Sequence, residues 1–135
     1  KSLRDMFPLA KAIVMGALAR DECRGAHYKP EFVMPGIEAE DPAERYRQAE
    51  QWCEAFEAKN QKWLKTTLAT FDKKGEPTLS YEEVDTSLIP PRPRLYGLVG
   101  GEIIEEVWKD RQSKATPGKS AGISSDGGSA AVATH

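Results

Sequence analysis

The stretch Trp52–Asp72, WCEAFEAKNQKWLKTTLATFD, changes its repeat part-way along, and that change decides the fold class. In and just before its first part, Tyr46, Ala49, Trp52, Cys53 and Phe56 recur at three- and four-residue spacing. They form one apolar face, while Arg45, Arg47, Glu50, Glu54 and Glu57 point away. After Asn60 the residues become β-branched and aromatic, a composition that suits a pleated surface. A chain that passes from one period to the other is α+β.

Working outward, DPAE at Asp41–Glu44 offers an N-cap acid, a proline at the first helical position and a glutamate at the third. The helix it opens is predicted over Pro42–Ala58. Downstream, PTLSYEEV alternates, with Leu79 and Tyr81 on one side and Ser80 and Glu82 on the other, and DKKGE supplies a turn at Gly75. The expectation is a hairpin pairing Trp63–Phe71 with Thr78–Asp85. LIPPRPRLYG cannot then be a central strand, because Pro90, Pro91 and Pro93 lack ladder donors. It should lie extended as a polyproline-like strap over the hairpin. A short helix is expected at Glu102–Asp110, docked through Ile103, Val107 and Trp108. From Lys109 the sequence is rich in Gly, Ser and Ala, and a flexible tail over 109–135 is expected.

Toward the N-terminus, Leu9, Ala10, Ile13, Val14, Ala17 and Leu18 form an apolar stripe on a helix starting near Phe7 or Pro8. Arg20 in the last turn suits the negative end of the helix dipole, and Gly25 suits termination. A helix this apolar needs a large surface to lie on, and the rest of the chain offers little of it. It breaks into ALARDECRGAHYKP, Ala17–Pro30, and an irregular loop follows over Tyr28–Glu40.

The chain has 135 residues and a formal net charge of −2, with acids and bases interspersed, so nothing favours nucleic acid as a partner. The apolar run Ala12–Ala19 is far short of the roughly 20 residues a membrane span requires. No signal peptide or initiator Met opens the sequence, which reads as a piece of something longer. Cys23 and Cys53 stand far apart and are expected to be reduced thiols. No catalytic or metal constellation is visible. Arg24 and His27 share a loop, but no second histidine lies near, and nothing orients Cys23 and His27 as nucleophile and base. Gly97, Gly100 and Gly101 follow a proline segment and imitate a phosphate loop poorly. The acid pairs Glu82–Glu83 and Glu105–Glu106 carry no acid–base role. Pro91–Arg94, PPRPR with Pro90, offers an alternative function, a free-standing interaction module that presents the strap to an aromatic groove.

In order along the chain, ALARDECRGAH closing a helix, WLKTTLATFD, LSYEEVD and LIPPRPRLYG resemble the C-terminal region of the flavoprotein subunit of succinate dehydrogenase and fumarate reductase. Arg24, Gly25, Ala26, His27, Trp63, Lys65, Thr67, Leu68, Pro90, Pro91, Arg94 and Tyr96 carry the likeness. L-aspartate oxidase shares the Arg-Gly-x-His element, but the hairpin and strap are closer to the dehydrogenase. The resemblance implies that residues 1–27 end a helical domain and that 28–108 form a small C-terminal domain with an inserted helix at about 42–58. It implies an oxidoreductase that interconverts succinate and fumarate, passing electrons through FAD to an iron–sulfur subunit and quinone. The implied partners are the FAD-binding domain of the same polypeptide and the iron–sulfur subunit, with membrane contact only through other subunits. For a bacterial source the implied location is peripheral, on the cytoplasmic face of the inner membrane. The family's FAD-binding and catalytic residues belong to a domain this sequence lacks, so no catalytic, cofactor or metal residue is assigned here. Arg24, Gly25 and His27 are assigned an interdomain contact, and the chain alone is expected to be inactive, free of cofactor and able to self-associate. Cys23 stands where the family usually has Ser, and Val33–Asn60 looks like an insertion, expected to be peripheral.

Overall fold

The computed structural model describes residues 3–115. Helix α1 spans Met6–Ala19, α2 Pro42–Trp63 and α3 Gly101–Ala115; strands β1, Lys65–Phe71, and β2, Pro77–Glu83, lie between α2 and α3. The class is α+β, with a two-stranded antiparallel sheet. Single 3-10 turns occupy Leu3–Asp5 and Pro30–Phe32.

Helix α2 begins as its sequence dictates. The Asp41 carboxylate accepts the Glu44 backbone N–H at 2.9 Å, and Pro42 fills the first helical position. It continues past Ala58 to Trp63 because nothing between them breaks a helix, and Lys, Asn and Gln carry no apolar obligation elsewhere. Trp63 therefore ends a helix and does not begin a strand. Its ring meets Tyr81 of β2 edge-on at 6.2 Å.

The main core lies between α2 and α3. Ala49, Trp52, Cys53 and Phe56 pack with Ile104, Val107 and Trp108, and Ile37 closes one end. Trp52 stacks on Phe56 at 5.6 Å, and Phe56 meets Trp108 edge-on at 5.4 Å. The Trp52 indole N–H donates to the Pro35 carbonyl at 3.1 Å, so its polar atom is satisfied inside the core. Helix α2, expected to be peripheral, is thus central to the core of the described residues. In α3 the buried residues are Gly101, Ile104, Val107 and Trp108, with Ile103 only half-buried. The tail expected from residue 109 gives way to helix as far as Ala115, where Arg111 reaches back to Glu57 of α2 at 2.8 Å. The rest of the expected tail, 116–135, lies outside the described residues.

Two glycines let the 33–40 loop close against the turn before α3. A Cβ on Gly36 would sit 2.7 Å from the Val99 carbonyl oxygen, and one on Gly100, at φ 74°, would sit 2.7 Å from the Ile37 Cβ. The Ile37 N–H donates to that same Val99 carbonyl at 2.8 Å. The space a phosphate would need beside Gly100 is therefore filled by Ile37. The proline strap runs over α3, not over the hairpin: Pro90, Pro91 and Arg92 line a shallow groove with Trp108 and Lys109.

In the hairpin, Lys65 pairs with Glu83, Thr67 with Tyr81 and Phe71 with Pro77. At its turn the Asp72 carboxylate accepts the backbone N–H groups of Lys74 and Glu76, both at 2.8 Å. Helix α1 rests on the hairpin along a narrow line, through Gly16 near Thr67 and an ion pair of Lys11 with Glu76. None of its residues is buried; Phe7, Leu9, Ile13, Val14 and Leu18 are between 56% and 69% exposed. No helix among the described residues is long and apolar enough to cross a membrane.

Two outcomes follow from this division. Ile104→Ala should cost about 2–5 kcal/mol by urea unfolding, whereas Ile13→Ala should stay within about 0.5 kcal/mol. Burial pushes the Cys53 thiol above its ordinary value of 9.0, the first cause being desolvation. The folded state holds that proton more tightly, so the stability it contributes is present below about pH 9 and fades as pH rises past it. Mass spectrometry after iodoacetamide treatment should find Cys23 alkylated in the folded chain and Cys53 alkylated only in urea.

Candidate functional site

Beyond Ala19 the chain leaves the helix and bends at Glu22, whose backbone N–H donates to the Arg20 carbonyl at 3.1 Å, folding residues 20–24 into a tight loop. That places Arg20, Glu22 and Arg24 together. Glu22 has no exposed surface. Its carboxylate accepts Arg20 Nε at 2.6 Å through one oxygen and Arg24 Nε at 2.9 Å through the other. A carboxylate without water is tolerable only with such charged donors on it.

Each guanidinium then reaches outward. Arg20 Nη1 donates to the Lys65 carbonyl at 3.2 Å and to Thr67 Oγ1 at 3.1 Å, and its Nη2 donates to the Trp63 carbonyl. Its Cζ lies 5.8 Å from the Trp63 ring centroid. Arg24 Nη2 donates to Asn60 Oδ1 at 2.8 Å. The exit from α1 is thereby fastened to the last turn of α2 and the first residues of β1.

The Arg-Gly-Ala-His element is a tight reverse turn. Arg24 and His27 exchange both backbone hydrogen bonds at 3.0 Å, with Gly25 at φ 60° between them. His27 Nε2 lies 2.8 Å from the Arg20 carbonyl oxygen. A carbonyl only accepts, so Nε2 carries the proton. The end of α1 is covered by Lys29, not by Arg20: its ammonium donates to the Leu18 carbonyl at 2.6 Å and to Asp21 at 2.8 Å. The hydrogen bond from Lys29 holds the Asp21 carboxyl below the usual carboxylate range. The Cys23 thiol donates to the Lys29 carbonyl at 3.0 Å.

The structure thus gathers the three singled-out residues, Arg24, Gly25 and His27, in one turn. The donors of Arg24 that bond here go to Glu22 and Asn60 of its own chain. Glu22 itself was missed by sequence reasoning; the readable sign is an acid two residues from an arginine on either side as a helix ends. The arrangement is a fastening, since the carboxylate is enclosed and held by two cations and no nucleophile faces it. Among the described residues no cluster of three His, Cys, Asp or Glu side chains could hold a metal ion. The glycines before α3 do not form a phosphate cradle, because Ile37 lies against Gly100.

Glu22→Gln should destabilise the chain by about 3 kcal/mol, since two partly buried guanidiniums lose their countercharge. Replacing Arg20, Glu22 and Arg24 together by Met, Leu and Met should recover only part of that loss, since the bonds to the Trp63 and Lys65 carbonyls and to Asn60 go with the guanidiniums, as urea midpoints would show.

The family model for the fumarate reductase flavoprotein C-terminal region matches residues 1–96. The succinate dehydrogenase flavoprotein subunit of Bacillus subtilis (strain 168) is 35% identical over 97 residues, an alignment that covers 71% of this chain and 13% of that protein. No solved structure matches the chain. The family match takes in α1, the Glu22 fastening, α2 and the hairpin, and it stops before α3. With more than half its length matched, this chain belongs to the fumarate reductase flavoprotein C-terminal family.

Proposed function

We propose that the chain is the C-terminal lobe of a flavoprotein subunit whose full-length form interconverts succinate and fumarate. In this reading electrons leave by way of FAD to an iron–sulfur subunit and then to quinone. FAD supplies the redox chemistry when bound by the rest of the polypeptide. This lobe contributes shape and support, not a reacting group. The observation that carries the reading is the uncovered apolar face of α1, in a chain that spans 13% of its matched relative's length. Such a face suits burial against the remainder of the same subunit. The exposed Gly25–Ala26 tip, with Arg24 locked behind it and His27 on the Arg20 carbonyl, is the second contact toward the FAD-binding domain. The iron–sulfur subunit is the neighbouring partner, and membrane contact comes only through other subunits. For a bacterial source the location is peripheral on the cytoplasmic face of the inner membrane.

Ile13→Asp with Val14→Asp in the full-length subunit should lower flavin retention and assembly, read as flavin absorbance per purified protein. Normal flavin content and assembly would overturn the docking role. In the isolated chain, light scattering across a concentration series should show self-association that the same pair of substitutions relieves. Mixed with FAD, the isolated chain should retain no flavin absorbance after desalting, and stoichiometric retention would contradict the reading. Arg24→Ala in the full-length subunit should reduce flavin retention or assembly; a fall in turnover alone, with folding and flavin normal, would sink the interdomain contact.

A further inference from the structure

A groove of about 530 Å³ opens between the Arg24 turn, α2 and the proline strap. Four cations edge it: Arg24, Lys59, Arg92 and Arg94. Its floor is apolar and includes Trp52 and Phe56, and no Asp or Glu lines it. That is a strong local bias in a chain whose formal net charge is −2. Two of the cations are already matched inside the chain, Arg24 by Glu22 at 2.9 Å and Arg92 by Glu105 at 3.9 Å. Lys59 and Arg94 are not: among the described residues neither has a carboxylate in ion-pair reach. Lys59 lies 5.6 Å over the Phe56 ring, and its ammonium is pushed below the usual lysine value, by burial first and then by Arg24 beside it. An ammonium so placed gains from any incoming anion.

We infer that this groove binds an acidic peptide segment carrying an apolar residue, its carboxylates on Lys59 and Arg94 and its apolar side chain on the Trp52–Phe56 floor. The cations come from three separate segments along an open channel. A small anion leaves the apolar floor bare, whereas an extended chain meets the two unmatched cations and covers the floor as well. This inference does not depend on which reaction the full-length subunit performs.

The test uses the 135-residue chain and a fluorescein-labelled Glu-Glu-Leu-Glu-Glu-Phe peptide, read by fluorescence anisotropy at low salt. Binding should weaken about two- to fivefold with Lys59→Gln or Arg94→Gln, and on the order of tenfold with both. Arg94 is exposed and without an ion pair among the described residues, so its variant keeps the fold and serves if Lys59→Gln does not. The Gln counterpart of the peptide should not bind, and salt above about 0.5 M should abolish binding of the acidic one. Lys73→Gln, on the exposed hairpin turn, should change nothing. Equal binding of the Gln peptide, or equal weakening by Lys73→Gln, would overturn the inference. So would free glutarate displacing the peptide at the peptide's own concentration, which would make the groove a small-anion site.

Discussion

The enclosed Glu22 carboxylate is the constraint around which the N-terminal half is arranged. A charge without water must keep its donors, and both of its donors are long side chains whose other ends are committed elsewhere. Arg20 is tied to the α2–β1 junction and Arg24 to Asn60. The direction in which α1 leaves the fold is therefore set by polar contacts, since its own apolar face touches so little. The Arg-Gly-Ala-His turn is a consequence of the same tie: it reverses the chain just after Arg24 so that His27 and Lys29 can close the end of α1.

The described residues hold two unlike halves. One, α2 with α3, is closed by aromatic packing and would be recognised as a core in any small protein. The other, α1 with the hairpin, is thin and largely wet, and its best-buried group is an acid. The family match covers the second half and α2 but stops before α3, the partner that α2 packs against. The α2–α3 pair therefore packs on itself, while the apolar side of α1 stays uncovered among the described residues.

Where local chemistry decides structure, the sequence was readable. The Asp41 cap, the alternation in β2 and the Asp72 turn all formed as their residues specify. The end of α2 was not readable, because Trp63 satisfies a strand pattern and a helix pattern equally, and its ring found Tyr81 and Arg20 only in three dimensions. The central place of α2 was hidden for the same reason: an amphipathic face does not say what it will meet. Of the site, Arg24, Gly25 and His27 could be found by motif. Glu22 carried only the weak sign of an arginine two residues to either side; its burial, which comes from the guanidiniums folding over it, shows only in the structure.

The mutual approach of Gly36 to Val99 and of Gly100 to Ile37 has a consequence for divergence. Neither position has room for even one methyl group, and each blocks the other's segment, so drift at one cannot be relieved by change at the other. A lineage can lose this pair of positions only by shedding the loop-to-turn closure as a whole. Both positions must therefore stay without a side chain for as long as the loop is held against the turn before α3.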